Sequence, residues 1–301
     1  MDAYMIAKYS FISLVKGIAV ALATLFGILF SQPIILLLRF DFPEHPILLA
    51  NINSTLLFIC IIILTSILVG ELVKKLNQPI LERFVFIFVY HYFFFHLVRA
   101  IDGYISNLNN NVIFDLVSHI IPSLVFAFTV SLLWKPEREL ISIRHKAKEY
   151  FSATKVSSWI WKFWIGALCF VPIYLVTDSL ISPFVAPYYT DLANILSTSP
   201  SLLTLLMIKL AIGLLSVLVL MPIFVMWTGP KASLLFWSGF PIFVQAAVYP
   251  SIVEVWLPLG MRFPYLIKYT VITYLLAIIF VQLFFVPHEN EVIDDQFNWM
   301  Y

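Results

Sequence analysis

Long apolar runs separated by short polar stretches set the pattern of the chain. Eight of them, near residues 10–38, 48–73, 80–101, 112–134, 157–180, 201–227, 232–253 and 264–286, are long enough to cross a bilayer. In hydrocarbon every backbone polar group must be satisfied within a helix or a closed barrel. The runs are continuous, not alternating segments of about ten residues, so helices are predicted over barrel strands. The first run is overlong, which predicts a tilt or a kink near Pro33. That run is also too long for the apolar core of a signal peptide, and no A-x-A-like site follows it, so it is expected as a retained first span.

Composition narrows the class without changing it. The 301 residues are 61% hydrophobic, 17% aromatic and 12% charged, with a mean hydropathy of +0.96. A soluble domain carries about 25% charged residues. The fold class is therefore all-α: a polytopic integral membrane protein of about eight transmembrane helices. A net charge of +1, with no basic block, argues against a nucleic-acid partner. Cys60 and Cys169 sit inside apolar runs and read as small buried hydrophobes, without disulfide or metal spacing.

Lysine and arginine give the expected orientation. Lys8, Lys16, Lys74, Lys75, Arg83 and Lys231 fall on one side, with Lys135, Arg138, Arg144, Lys146, Lys148 and Lys155 of the central loop; the stretch ISPFVAPYYTDLANILSTSPS on the other side has neither residue. The positive-inside rule then places both termini in the cytoplasm of a plasma or inner membrane; an organellar inner membrane fits the same pattern. The central loop alternates charged and apolar residues and is expected as an amphipathic helix on the inner surface.

Residues 1–150 form a first half of four spans, with the linker starting near 135; residues 151–286 form a second, and residues 287–301 an acidic, aromatic cytoplasmic tail. The tail reads as a disordered end, a docking strand or a partner-binding peptide. Gly17 and SQP at 31–33 match Gly166 and ISP at 181–183, and LLWKPE matches FFVPHE, at offsets near 150. These few matches suggest a parallel 4+4 internal repeat, the kind that duplication leaves in transporter folds.

Candidate chemistry lies in the polar residues of the apolar runs, where a central charge is expensive. FVYHYFFFHLVRAID, residues 88–102, holds His91, His96, Arg99 and Asp102; the next span holds Asp115 and His119 at i, i+4. The favoured expectation is a capped interfacial hairpin at the outer rim, with Arg99 and Asp102 in reach of each other; the alternative is an outward-facing pocket for a proton, an anion or a lipid headgroup. Lys209, two turns into the sixth span, is expected to snorkel outward. Its alternative is a vestibule cation paired with Asp178. Glu254, Arg262 and Lys268 are expected at the same outer rim.

Paired histidines could ligate haem, but the second half has no histidine within its spans, so no cofactor is expected. No metal is expected either, since H-E-x-x-H and similar spacings are missing. There is no nucleophile motif and no selectivity-filter pattern, and the chain has only nine glycines. The leading expectation is thus a non-catalytic subunit, scaffold or assembly component of a membrane complex. Its partners would be membrane lipids and other membrane subunits, or a second copy in a homodimer. The alternatives are a small-solute or ion permease with an outward-facing polar vestibule, and a membrane enzyme acting on a lipid or a proton-coupled substrate.

Overall fold

The computed structural model of the protein describes residues 3–39, 52–105, 112–136, 138–192, 201–253 and 257–287. The acidic tail, apart from Pro287, lies outside these residues, as does Glu254. Among the described residues there are helices and turns and no strand. Eight helices are long and apolar enough to span a membrane: Ala7–Leu37, Thr55–Leu76, Ile80–Ile105, Val112–Leu133, Val156–Tyr188, Leu202–Met226, Lys231–Val253 and Leu259–Phe284. They are called the first to eighth spans below. Eight crossings bring the first and last spans' free ends to one end of the bundle, here the terminal end.

The polytopic helical class follows from the apolar runs, but several boundaries differ from the sequence expectation. The fifth helix does not stop near 180: it continues through Pro183 and Pro187 to Leu192. Proline in a membrane helix is tolerated because neighbouring helices and local adjustments satisfy the freed carbonyls. The first helix likewise runs through Pro33 without interruption. Among the described residues of the central loop, Ile143–Ser152 is the helical part. It is tied to the bundle by Glu82 of the third span, which accepts from Ser142 Oγ at 2.6 Å and from the Ile143 amide at 2.7 Å. That carboxylate satisfies one of the orphan donors at the helix start. At the other end of this helix, the buried Tyr150 hydroxyl donates to the Phe284 carbonyl, at the end of the eighth span.

The packing order is simple. The first span packs on the second and fourth, and the third on the fourth; the fifth packs on the sixth and eighth, and the seventh on the eighth. Between these groups the second span meets the seventh and the third meets the sixth. Burial agrees, with 56% of the best apolar window buried in the second span against 28% in the first, so the core lies along the second, third and seventh spans. Close approaches occur where a side chain would intrude. A Cβ on Gly70 would fall 2.3 Å from the Trp134 ring, and one on Gly213 would fall 2.5 Å from the Ala167 carbonyl oxygen. Trp134, almost fully buried, closes the fourth span: Arg83 Nη1 donates to its carbonyl at 2.5 Å, and its indole N–H donates to Glu71 Oε1 at 3.2 Å. The arginine bond satisfies a carbonyl at the helix C-terminus that would otherwise be left bare, and the glutamate satisfies the buried indole N–H.

Two spans are not regular. The third widens into a π-helical turn at Tyr92–Leu97, and the seventh into another at Val244–Val248. The two turns touch, with the rings of Phe95 and Tyr249 centred 4.4 Å apart. A π turn inserts a residue and shifts the side-chain stripe below it relative to the stripe above, and such turns are frequent at functional sites. Here the shift lets one helix present different polar residues to two sides of the bundle.

Candidate functional site

The sixth span carries Lys209 one turn above Gly213, and the absence of a side chain at Gly213 draws the fifth and sixth spans together. Lys209 does not snorkel. It is 1% exposed, and its ammonium donates to Asp102 Oδ1 from the third span. Asp102 Oδ2 accepts from the Tyr269 hydroxyl at 2.8 Å. Both oxygens of a carboxylate that is itself 7% exposed are thus engaged. A charge removed from water persists only when paired and hydrogen-bonded, and this one is both.

The expected Asp178–Lys209 pair is replaced by an exchange of partners. Asp178 accepts from Lys268 at 2.5 Å, with Lys268 buried and the aspartate side chain half-exposed. The physical reason is the Tyr174 ring, which lies between. Lys209 Nζ is 3.5 Å and Lys268 Nζ 4.1 Å from its centroid. Both ammonium groups use the negative face of the same aromatic system, and each takes the carboxylate on its own side. The expected rim of Glu254, Arg262 and Lys268 does not form as one cluster among the described residues. Lys268 is interior, Arg262 Nη1 reaches the Ser251 carbonyl at 3.5 Å, and Glu254 lies outside the described residues.

Below this network lies a narrow apolar cavity between the spans. Each wall is one stripe of a helix at i, i+4 spacing: Phe94, Val98 and Asp102 on the third span, Phe170 and Tyr174 on the fifth, Ile212, Ser216 and Leu220 on the sixth. The seventh and eighth spans complete it, with Ser238 and Thr273 the polar side chains among their lining residues besides Tyr269. The lining is overwhelmingly apolar, and Asp102, Tyr174 and Tyr269 stand at the end away from the termini.

The histidines of FVYHYFFFHLVRAID face the other side of the third span and are not at a wet rim. His91 is 1% and His96 7% exposed. The His91 ring stacks on Phe126 at 3.9 Å and on Phe95 at 4.8 Å; His96 stacks on His119 at 4.1 Å. His119 does not use the Asp115 carboxylate as its nearest acceptor: its Nδ1 lies 2.6 Å from the Asp115 backbone carbonyl. Arg99 sits over the Tyr249 ring at 4.9 Å. The sequence-predicted cluster therefore divides in two, with Asp102 at the cavity and His91, His96, Arg99, Asp115 and His119 on the opposite face. Among the described residues no three His, Cys, Asp or Glu side chains are placed to hold a metal ion.

No protein family, curated sequence or solved structure matches the chain. Geometry alone carries the functional reading.

Three contributors escaped the sequence reading. Tyr269 and Tyr174 look like belt aromatics, and nothing in one dimension sets them apart from the chain's other tyrosines. Gln245, buried and with neither amide atom hydrogen-bonded, was legible as the lone amide in an apolar span.

Proposed function

We propose that this multi-pass membrane protein is a carrier or permease for a small amphiphile, which it holds between its two halves. The observation that carries this reading is the apolar cavity, lined by five spans, that ends at the Asp102–Lys209–Tyr269 network. The ligand's apolar body would lie along Phe170, Ile212 and Leu220, and its head would meet Asp102. Asp102 has each oxygen singly engaged by the bonds named above, and a carboxylate oxygen can accept more than one. The head that fits is a hydrogen-bond donor, a hydroxyl or an amine.

The assembly role that the sequence put first has no comparable support. The broad apolar exposure of the first and fifth spans is what lipid asks of any such surface. A parallel repeat of the first and second halves supports the carrier reading: the neighbour order of spans one to four recurs in spans five to eight, and the third span of each half carries a π turn. Duplicated halves with a site at their junction are a recurrent transporter plan. By the positive-inside rule the network would face outward and the terminal end the cytoplasm.

The test is native mass spectrometry of the full chain released from mild detergent, with and without Ser216→Phe. We expect a co-purifying amphiphile on the wild type and its loss from the variant, which fills the middle of the cavity. A wild-type protein that emerges bare, and whose unfolding temperature no added long-chain alcohol or amine shifts, would overturn the reading.

A further inference from the structure

On the side of the third span away from the cavity, three imidazoles come together inside the bundle. His96 and His119 are stacked with centroids 4.1 Å apart, and His91 meets His96 edge-to-face at 5.4 Å. The tautomer of His119 is fixed by its surroundings. Its Nδ1 lies 2.6 Å from the Asp115 carbonyl, which can only accept, so Nδ1 carries the hydrogen and Nε2 of the neutral ring carries the lone pair. Ser118 Oγ, 3.1 Å from the same Nδ1, adds to that anchorage.

Polar atoms of the neighbouring side chains lack a well-formed hydrogen bond in the protein. His91 Nδ1 and His96 Nδ1 are buried without a hydrogen bond, and the buried Gln245 amide, which makes no well-formed bond, faces His91 from the seventh span at the edge of hydrogen-bonding range. Buried donors and acceptors left open together call for water, which satisfies either kind.

The geometry points to a binding site for one proton, shared among His91, His96 and His119 and solvated by internal water. The proton comes from bulk water and enters at His119 Nε2, turning a neutral ring into an imidazolium. Two stacked rings at 4.1 Å in a buried site exclude a second charge, so the set holds one proton and no more. Burial opposes the charge most, and Arg99 of the third span opposes it too; Asp115 of the fourth favours it, through its carbonyl and its carboxylate. Gln245 of the seventh span and Tyr92 of the third add dipoles. The π turn at Tyr92–Leu97 makes the arrangement possible, because it presents Phe94 to the cavity and His96 to the histidines. The proton site does not depend on the carrier reading, and either can fail without the other.

The test is nitrogen NMR of the full chain, labelled with ¹⁵N-histidine in detergent micelles and titrated from about pH 8 to about pH 4, a range that covers ordinary histidine titration. His145, on the exposed surface helix, serves as the internal reference. The expected result is uptake of one proton by the three interior rings together: His119 Nε2 changes from lone-pair to N–H character, and His96 and His91 shift with the same midpoint. His96→Phe keeps a ring in the stack and should abolish that common midpoint, leaving His119 to titrate alone. The inference is overturned if the three wild-type rings stay neutral throughout, or if they titrate in separate steps that add up to more than one proton. The wild-type titration decides the matter even if the variant does not fold.

Discussion

A lysine inside an apolar bundle is held by its partners, and Lys209 shows how completely. Its ammonium has Asp102 on one side and the Tyr174 ring on another, while Tyr269 occupies the second oxygen of the aspartate. Removing one member strands the other. Lys209→Met or Asp102→Leu alone should lower stability by about 3–5 kcal/mol, the loss typical of a buried charge left unpaired. The double replacement should lie much closer to wild type, because neither charge then needs compensation. Thermal unfolding of the four proteins in one detergent gives the cycle directly. Equal and additive losses would mean that the pair contributes nothing as a pair. The same double variant should lose the bound amphiphile while staying folded, which separates the polar head site from the scaffold.

At the scale of the element, contacts between helices depend on small residues and on well-closed ends. Gly213 lets the fifth and sixth spans approach until a Cβ would lie 2.5 Å from the Ala167 carbonyl oxygen and 2.8 Å from Phe170 Cβ. Gly213→Val should therefore destabilise by about 1–3 kcal/mol, as overpacking does. It should also reduce amphiphile retention, since Phe170 lines the cavity; unfolding temperature and native mass report the two effects separately.

The surface helix Ile143–Ser152 is anchored by Tyr150, whose hydroxyl donates to the Phe284 carbonyl and whose burial raises its pKa above the ordinary tyrosine value. A raised acid is one whose protonated form is favoured by folding. The stability it gives is thus complete below about pH 10, the value of an unfolded tyrosine, and is lost as pH climbs toward the folded value. Tyr150→Phe should cost about 0.5–1.5 kcal/mol at neutral pH, one hydrogen bond. It should also flatten the fall in unfolding temperature measured above about pH 10. A variant whose alkaline profile matched wild type would remove this role.

Across the whole molecule, what could be read in advance was what is written locally. Each apolar run names its own span because hydrocarbon thickness is a one-dimensional constraint, so eight crossings followed from length alone. The ends were less legible: the fifth run was expected to end near 180, and the helix continues through Pro183 and Pro187. The polar network was the least legible part. Asp102 and Lys209 are 107 positions apart. Their meeting depends on the third span crossing the sixth, a contact no periodicity encodes. The snorkelling expected of Lys209 failed because that rule describes a lone helix in lipid, whereas here a carboxylate from another span was within reach. The histidines were recognised as a group, yet their depth was misjudged: the run around them was taken as a rim when aromatic rings cover it on every side.

Tyr174 joins what would otherwise be two separate ion pairs. One ring receives both ammonium groups, so the interior couple of Lys209 with Asp102 and the half-exposed couple of Lys268 with Asp178 share a single electron cloud. An occupant that draws Asp102 toward itself frees its lysine to settle deeper on that cloud, at the expense of the neighbouring cation. News of what fills the interior would then reach the bundle's flank through one aromatic side chain, with no helix having to move.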